Sequence, residues 1–108
     1  MSKIDRINQL LKFSNEDPSD PFNYYALALE YQKLDSPLAA KYYNLLLSEH
    51  PTYLATYYHA AGYFAGIGNP KKAGQIYQKG IELATLQHNN HAKKELENAY
   101  FNFQIEFE

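Results

Sequence analysis

The chain has 108 residues, 45% of them apolar and 20% charged, with a formal net charge of -2; that length predicts one domain able to bury roughly 65% of its unfolded surface. Cysteine is absent, which excludes disulfides, thiolate nucleophiles and Cys-containing zinc sites and fits a reducing cytoplasm. The weak charge, with lysines scattered along the chain, gives too little phosphate-neutralising field for nucleic acid, and no apolar run approaches the ~18 residues of a membrane span.

Taken in order, the first segment places Lys3, Asp5 and Arg6 inside an amphipathic pattern without a continuous apolar stretch, so a secretory leader is not expected. Ile4, Ile7, Leu10, Leu11 and Phe13 recur at helical spacing behind Ser2, a candidate cap. They predict one helix within residues 1–19. Asp20-Pro21, Ser36-Pro37 and Asn69-Pro70 each put a capping side chain before a proline, at the helix position where a missing N–H is harmless. With Pro51 and Gly68 as stops, these signals predict helices over 21–34, 37–49, 52–67 and 70–87.

Beyond the polar loop Gln87-His88-Asn89-Asn90, the stripe Ala92, Leu96, Ala99, Tyr100 and Phe103 predicts a capping helix within 90–108, the sixth in all. The closing AYFNFQIEFE reads in more than one way. Phe103 and Phe107 continue the inward stripe, Phe101 and Ile105 fall on the opposite side, and the alternation suits a short strand equally well. A buried cap, a helix pairing with a second copy, and a tail folded into the chain's own groove all remain open.

Eleven tyrosines and six phenylalanines make 16% of the chain, and many fall in a repeat. NYYALALEY (23–31) and TYYHAAGYF (56–64) superpose with a shift of 33, matching Tyr24 to Tyr57, Tyr25 to Tyr58, Ala28 to Ala61 and Tyr31 to Phe64. The segments that follow superpose with a shift of 34, matching Ala39 to Ala73, Tyr43 to Tyr77 and Leu46 to Gly80. One residue is therefore missing from the first repeat, and its place is expected in the internal turn.

This doublet resembles the tetratricopeptide repeat pattern of an aromatic, Leu-Gly and Tyr on one helix, then Ala, an aromatic and Pro on the next. Tyr24, Leu27, Ala28, Tyr31, Ala39, Tyr43 and Pro51 hold those slots in repeat 1 (20–51). Tyr57, Ala60, Ala61, Phe64, Ala73 and Tyr77 hold them in repeat 2 (52–86), with Thr85 in place of the final proline. The chain is similar to short bacterial members of that family. The resemblance implies a single all-α domain, antiparallel helix pairs stacked into a short right-handed superhelix, or α-solenoid, of about six helices.

In such a superhelix the first helix of each pair lines a concave groove that receives a peptide. By register the resemblance puts Phe22, Tyr25, Leu29 and Lys33 on that wall from repeat 1, and Ala55, Tyr58, His59 and Gly62 from repeat 2. Tyr24 and Tyr57 are expected to fill core slots, turning Tyr25 and Tyr58 about 100° away. Three anchors of about 1.5–3 kcal/mol each, less the cost of association, imply micromolar to millimolar binding of an unidentified peptide or protein. The family's dicarboxylate clamp would fall on Tyr25, Leu29, His59, His91 and Glu95. None is its Lys, Arg or Asn, so a chaperone-tail binder is not expected. A homodimer through Phe101 and Ile105 is the alternative reading.

No arrangement supports catalysis. His59 has no nucleophile or carboxylate pair placed with it in the sequence, and Gly66-Ile67-Gly68 lies between helices rather than after a strand, so it is a turn and not a phosphate cradle. His88 and His91 have helical spacing for a shared metal but no third ligand nearby. No enzyme activity, metal or cofactor is expected.

Overall fold

The structure is a computed structural model and describes residues 2–107; Met1, which opens the predicted first segment, and Glu108, which closes the last, lie outside them. Among the described residues there are six α-helices and no strand: α1 Lys3–Glu16, α2 Pro21–Lys33, α3 Leu38–Glu49, α4 Ala55–Gly66, α5 Pro70–Leu86 and α6 Asn90–Glu106. The all-helical reading is borne out, and the strand alternative for the last segment is overturned. Contacts gather the helices into two compact units that divide between Tyr53 and Leu54. The first holds α1 to α3 and the second α4 to α6.

Most starts follow the predicted caps. Ser2 Oγ accepts from the Asp5 N–H at 3.1 Å, Asp20 Oδ1 from Phe22 at 3.0 Å, and Asn69 Oδ1 from Lys72 at 3.2 Å. Each satisfies one of the orphan donors of a helix N-terminus. Asn89, read only as a loop residue, caps α6 through the Ala92 N–H at 3.0 Å. The fourth helix begins at Ala55, three residues later than the predicted Thr52. The Tyr53 N–H donates to the His50 carbonyl at 3.0 Å, closing a turn that consumes Pro51 and Thr52 before helical bonding starts.

Three helices stop in the same way. The N–H groups of Ser36, Asn69 and Asn89 donate to the carbonyls of Tyr31, Phe64 and Ala84, and the residues before them, Asp35, Gly68 and His88, donate to Gln32, Ala65 and Thr85. These are Schellman turns, which put their penultimate residue in the left-handed region, here at φ 54° for Asp35, 87° for Gly68 and 56° for His88. Only Gly68 is free of the Cβ penalty. Asp35→Gly and His88→Gly should each stabilise the protein by about 0.5–1 kcal/mol and raise Tm by a few degrees, whereas Gly68→Ala should lower it. Unchanged melting points for all three would contradict the turn geometry.

The turns also relocate the missing residue. Up to Ser36 and Asn69 they superpose bond for bond, so the deletion lies after the cap and not in the turn. Ala73 donates to the Asn69 carbonyl four residues back at 3.1 Å, but Ala39 reaches only three residues back, to Ser36, at 3.1 Å. The first turn of α3 is wound tighter, in 3₁₀ fashion.

Short turns make each pair antiparallel, and small residues bring the helices together. In the first unit Leu27 and Ala28 of α2 meet Ala39, Tyr43 and Leu46 of α3 in a core that excludes solvent completely, with Ile7 and Leu10 of α1 nearly as buried. The Tyr43 hydroxyl donates to Gln32 Oε1. Arg6 Nε of α1 lies 3.0 Å from the buried Glu30 carboxylate, which also faces Lys33 Nζ at 3.5 Å. In the second unit Ala60, Ala61, Ala73 and Ala84 are wholly buried beside Tyr57 and Phe64. A Cβ placed on Gly80 would lie 2.8 Å from Tyr57 Cβ and 3.2 Å from Leu96 Cδ1, so at this point α5 approaches α4 and α6 too closely for any side chain.

Tyr57 fills its core slot, but Tyr24 does not. It is half-buried, with its ring 6.2 Å from Tyr42 and 5.8 Å from His50.

Candidate functional site

The second unit contains a groove of 360 Å³ between α4 and the end of α6, and the repeat register explains its origin. On α2, Leu29, Gln32 and Lys33 stand one and two turns beyond Tyr25. A shift of 33 turns them into Gly62, Ala65 and Gly66 beyond Tyr58. Three substantial side chains have become two hydrogens and a methyl. Gln32 accepts from the Tyr43 hydroxyl, whereas Ala65 offers no acceptor to Tyr77, the residue equivalent to Tyr43. Tyr77 thus becomes the floor of an open groove.

An added Cβ on Gly62 or Gly66 would meet no heavy atom within 4 Å. Neither glycine is required by packing inside the chain; Gly62 lies in the interior of α4, where glycine costs about 0.5–1 kcal/mol relative to alanine, and Gly66 is the last residue of that helix. The opposite wall is α6, from which Asn102, Phe103, Glu106 and Phe107 reach the groove. The Phe103 ring lies 5.4 Å from Tyr77 and 4.9 Å from Phe107. Burial first, then the Tyr58 hydroxyl and the Glu106 carboxylate, push the Tyr77 phenol above its usual pKa.

Of the residues expected on the groove wall, Tyr58 and Gly62 line this groove, and Tyr58 is 41% exposed. Ala55 is exposed in the first turn of α4. His59 is half-buried, its ring edge-on to Tyr58 at 5.4 Å. In the first unit Phe22 is 53% exposed, Tyr25 packs edge-on against Tyr53 at 5.8 Å, Leu29 is half-buried and Lys33 is exposed. Sequence reasoning missed Ala65, Gly66, Tyr77, Asn102 and Glu106; it put Ala99, Phe103 and Phe107 on the inward stripe of the last segment, and a tail lying along the chain's own groove was one of its open readings. Comparing the two repeats position by position carried the signal for Ala65 and Gly66.

Burial lowers the His59 pKa from the ordinary 6.5, with Glu95 opposing in part. The unfolded chain then binds this proton more readily than the folded one, so stability falls as pH drops through about 6.5 and below. Urea titrations at pH 7.5 and pH 5 should show a loss that is smaller in His59→Gln; an equal loss would rule out this proton.

On the far face of α6, Phe101 and Ile105 are 62% and 57% exposed; the half-buried Phe103 contacts Tyr77 and Tyr100. The buried-cap reading therefore fails for Phe101 and Ile105. His91 and Glu95 stand 4.0 Å apart on the surface of α6. Among the described residues no group of three His, Asp or Glu side chains could hold a metal, and no helix is long and apolar enough to cross a membrane.

Antiparallel helix pairs of 33 to 34 residues, stopped by glycine-type turns and packed through alanine and aromatic positions, define a helical repeat protein. The structure is similar to a crystal structure of a tetratricopeptide repeat domain protein from Salinibacter ruber, with a TM-score of 0.73 and 31% identity, covering 80% of this chain and 97% of that one. It is also similar to a solution NMR structure of a tetratricopeptide repeat domain protein from the same organism, with a TM-score of 0.75 and 32% identity over 81% of this chain and 89% of that one. No protein-family model and no curated protein matches the sequence. The chain belongs to the tetratricopeptide repeat family.

Proposed function

We propose that this chain is a non-catalytic protein-interaction module, working in a reducing cytoplasm, whose second unit takes a peptide segment in the groove between α4 and α6. The observation that carries this reading is the pair Gly62 and Gly66. Gly62 weakens α4, neither glycine relieves a clash, and what they provide is bare helix backbone beneath aromatic walls. A partner main chain approaching that backbone is what such glycines serve. The corresponding face of α2, with Phe22, Tyr25, Leu29 and Lys33, is a second contact surface in the first unit. The groove's lining carries no Lys, Arg or His, so acidic chaperone tails are not its ligands, and neither membrane nor nucleic acid is a partner.

Gly62→Gln tests this directly. The open space at Gly62 lets the substitution fold, and the gain in helix propensity should add about 0.5–1 kcal/mol. Peptides selected from a displayed library on the wild-type chain should lose binding to the variant by at least tenfold. Undiminished binding to a folded Gly62→Gln chain would remove the groove from the function. Exposure of Phe101 and Ile105 supports a second reading, self-association through that face of α6. Light scattering of Phe101→Ser/Ile105→Asn decides it, since a mass equal to that of the wild type shows that this face joins no copies.

A further inference from the structure

We propose that the groove of the second unit receives a basic side chain, arginine or lysine, from the bound peptide. This rests on the peptide-groove reading and adds the chemistry of its central contact. The rings of Tyr77, Phe103 and Phe107 follow one another at 5.4 and 4.9 Å, and Tyr58 lines the α4 side. Aromatic faces attract a cation held within ~6 Å of their centroids. Glu106 is the one carboxylate among the lining residues, which include no lysine, arginine or histidine. Beside it, the Asn102 amide oxygen and the Tyr58 and Tyr77 hydroxyls can accept hydrogen bonds.

The alternatives fit less well. An anionic side chain would face Glu106 with no cation to hold it. A purely apolar one would strip water from Glu106 and Asn102 and return no hydrogen bond. A basic side chain can lay its methylene stem on the rings and deliver its head to the carboxylate. The repeat register adds an independent observation: the first-repeat equivalent of Gly66 is Lys33. Where the first unit carries a lysine at this register position, with its Nζ 3.5 Å from the Glu30 carboxylate, the second carries a glycine and leaves the space open.

The test is an amide-resolved NMR titration of the full chain with three capped tripeptides: acetyl-Leu-Arg-Leu-amide, its citrulline analogue of equal shape and no charge, and acetyl-Leu-Glu-Leu-amide. The arginine peptide should shift the amides of Gly62, Gly66 and Phe103, and the citrulline peptide should bind the same place about tenfold more weakly. Glu106→Gln, at an exposed position, should bring arginine binding down to the citrulline level and leave citrulline binding unchanged. Equal affinity for arginine and citrulline peptides, or arginine binding indifferent to Glu106→Gln, overturns the cation assignment while the groove reading stands. Shifts from none of the three peptides at these amides overturn both.

Discussion

Tyr43→Ala is expected to lower the unfolding free energy by about 3–5 kcal/mol. The ring is wholly buried among α2 and α3 residues, so truncation forfeits its apolar burial and leaves a ring-sized cavity between two helices joined by a turn too tight to let them close on it. Tyr43→Phe separates the parts. It keeps the ring and removes the hydroxyl that Gln32 accepts, and it should cost about 1 kcal/mol. Domains of this size have about 5–15 kcal/mol in total, so the alanine variant should melt far below the wild type by far-UV circular dichroism. A loss under 1 kcal/mol would mean that Tyr43 is not the wedge between these helices.

Gly80→Ala is expected to destabilise by about 1–3 kcal/mol, against the usual direction for glycine in a helix. Alanine contributes roughly 1 kcal/mol of helix propensity over glycine, and at Gly62 that gain should appear. At Gly80 the new methyl would stand 2.8 Å from Tyr57 Cβ. A Cβ cannot swing aside as the end of a long side chain can, so α4 must move. The pair makes a sharp comparison by chemical denaturation: the same substitution in the same unit, with opposite signs. A stabilised Gly80→Ala would show that α4 and α5 do not approach as described.

Much of the fold was legible because its signals are local. Ser2, Asp20 and Asn69 cap the helices that their neighbours announce, and Gly68 stops α4 where the pattern ends. The misreadings share a physical cause. Whether the missing residue falls in the turn or after it depends on which carbonyl Ala39 reaches, and Pro51-Thr52 begins a turn rather than a helix because His50 captures Tyr53. Neither choice is written in residue type.

The candidate site was half legible for the same reason. Register alone puts Tyr58 and Gly62 on the wall. Phe103, Glu106 and the opening over Tyr77 depend on where α6 crosses α4, which no periodicity specifies. Tyr24 shows the limit from the other side, since a slot that is sealed around Tyr57 in one unit is half open around its repeat partner in the other.

In the three Schellman turns, one residue both closes a helix and opens the next stretch: Ser36, Asn69 and Asn89 each donate a backbone N–H backwards and, with a side-chain oxygen, accept from the N–H groups of Leu38, Lys72 and Ala92 ahead of them. Nothing is left over for a flexible connector. Within each unit nearly every helix pair in contact is consecutive along the chain, with α4 and α6 the one exception. Structure of that kind forms, within each unit, without closing long loops, the local pattern that favours fast folding. A single inserted residue between Asp35 and Ser36 would uncouple the stop from the start, and its first effect should be on the folding rate rather than on helix content.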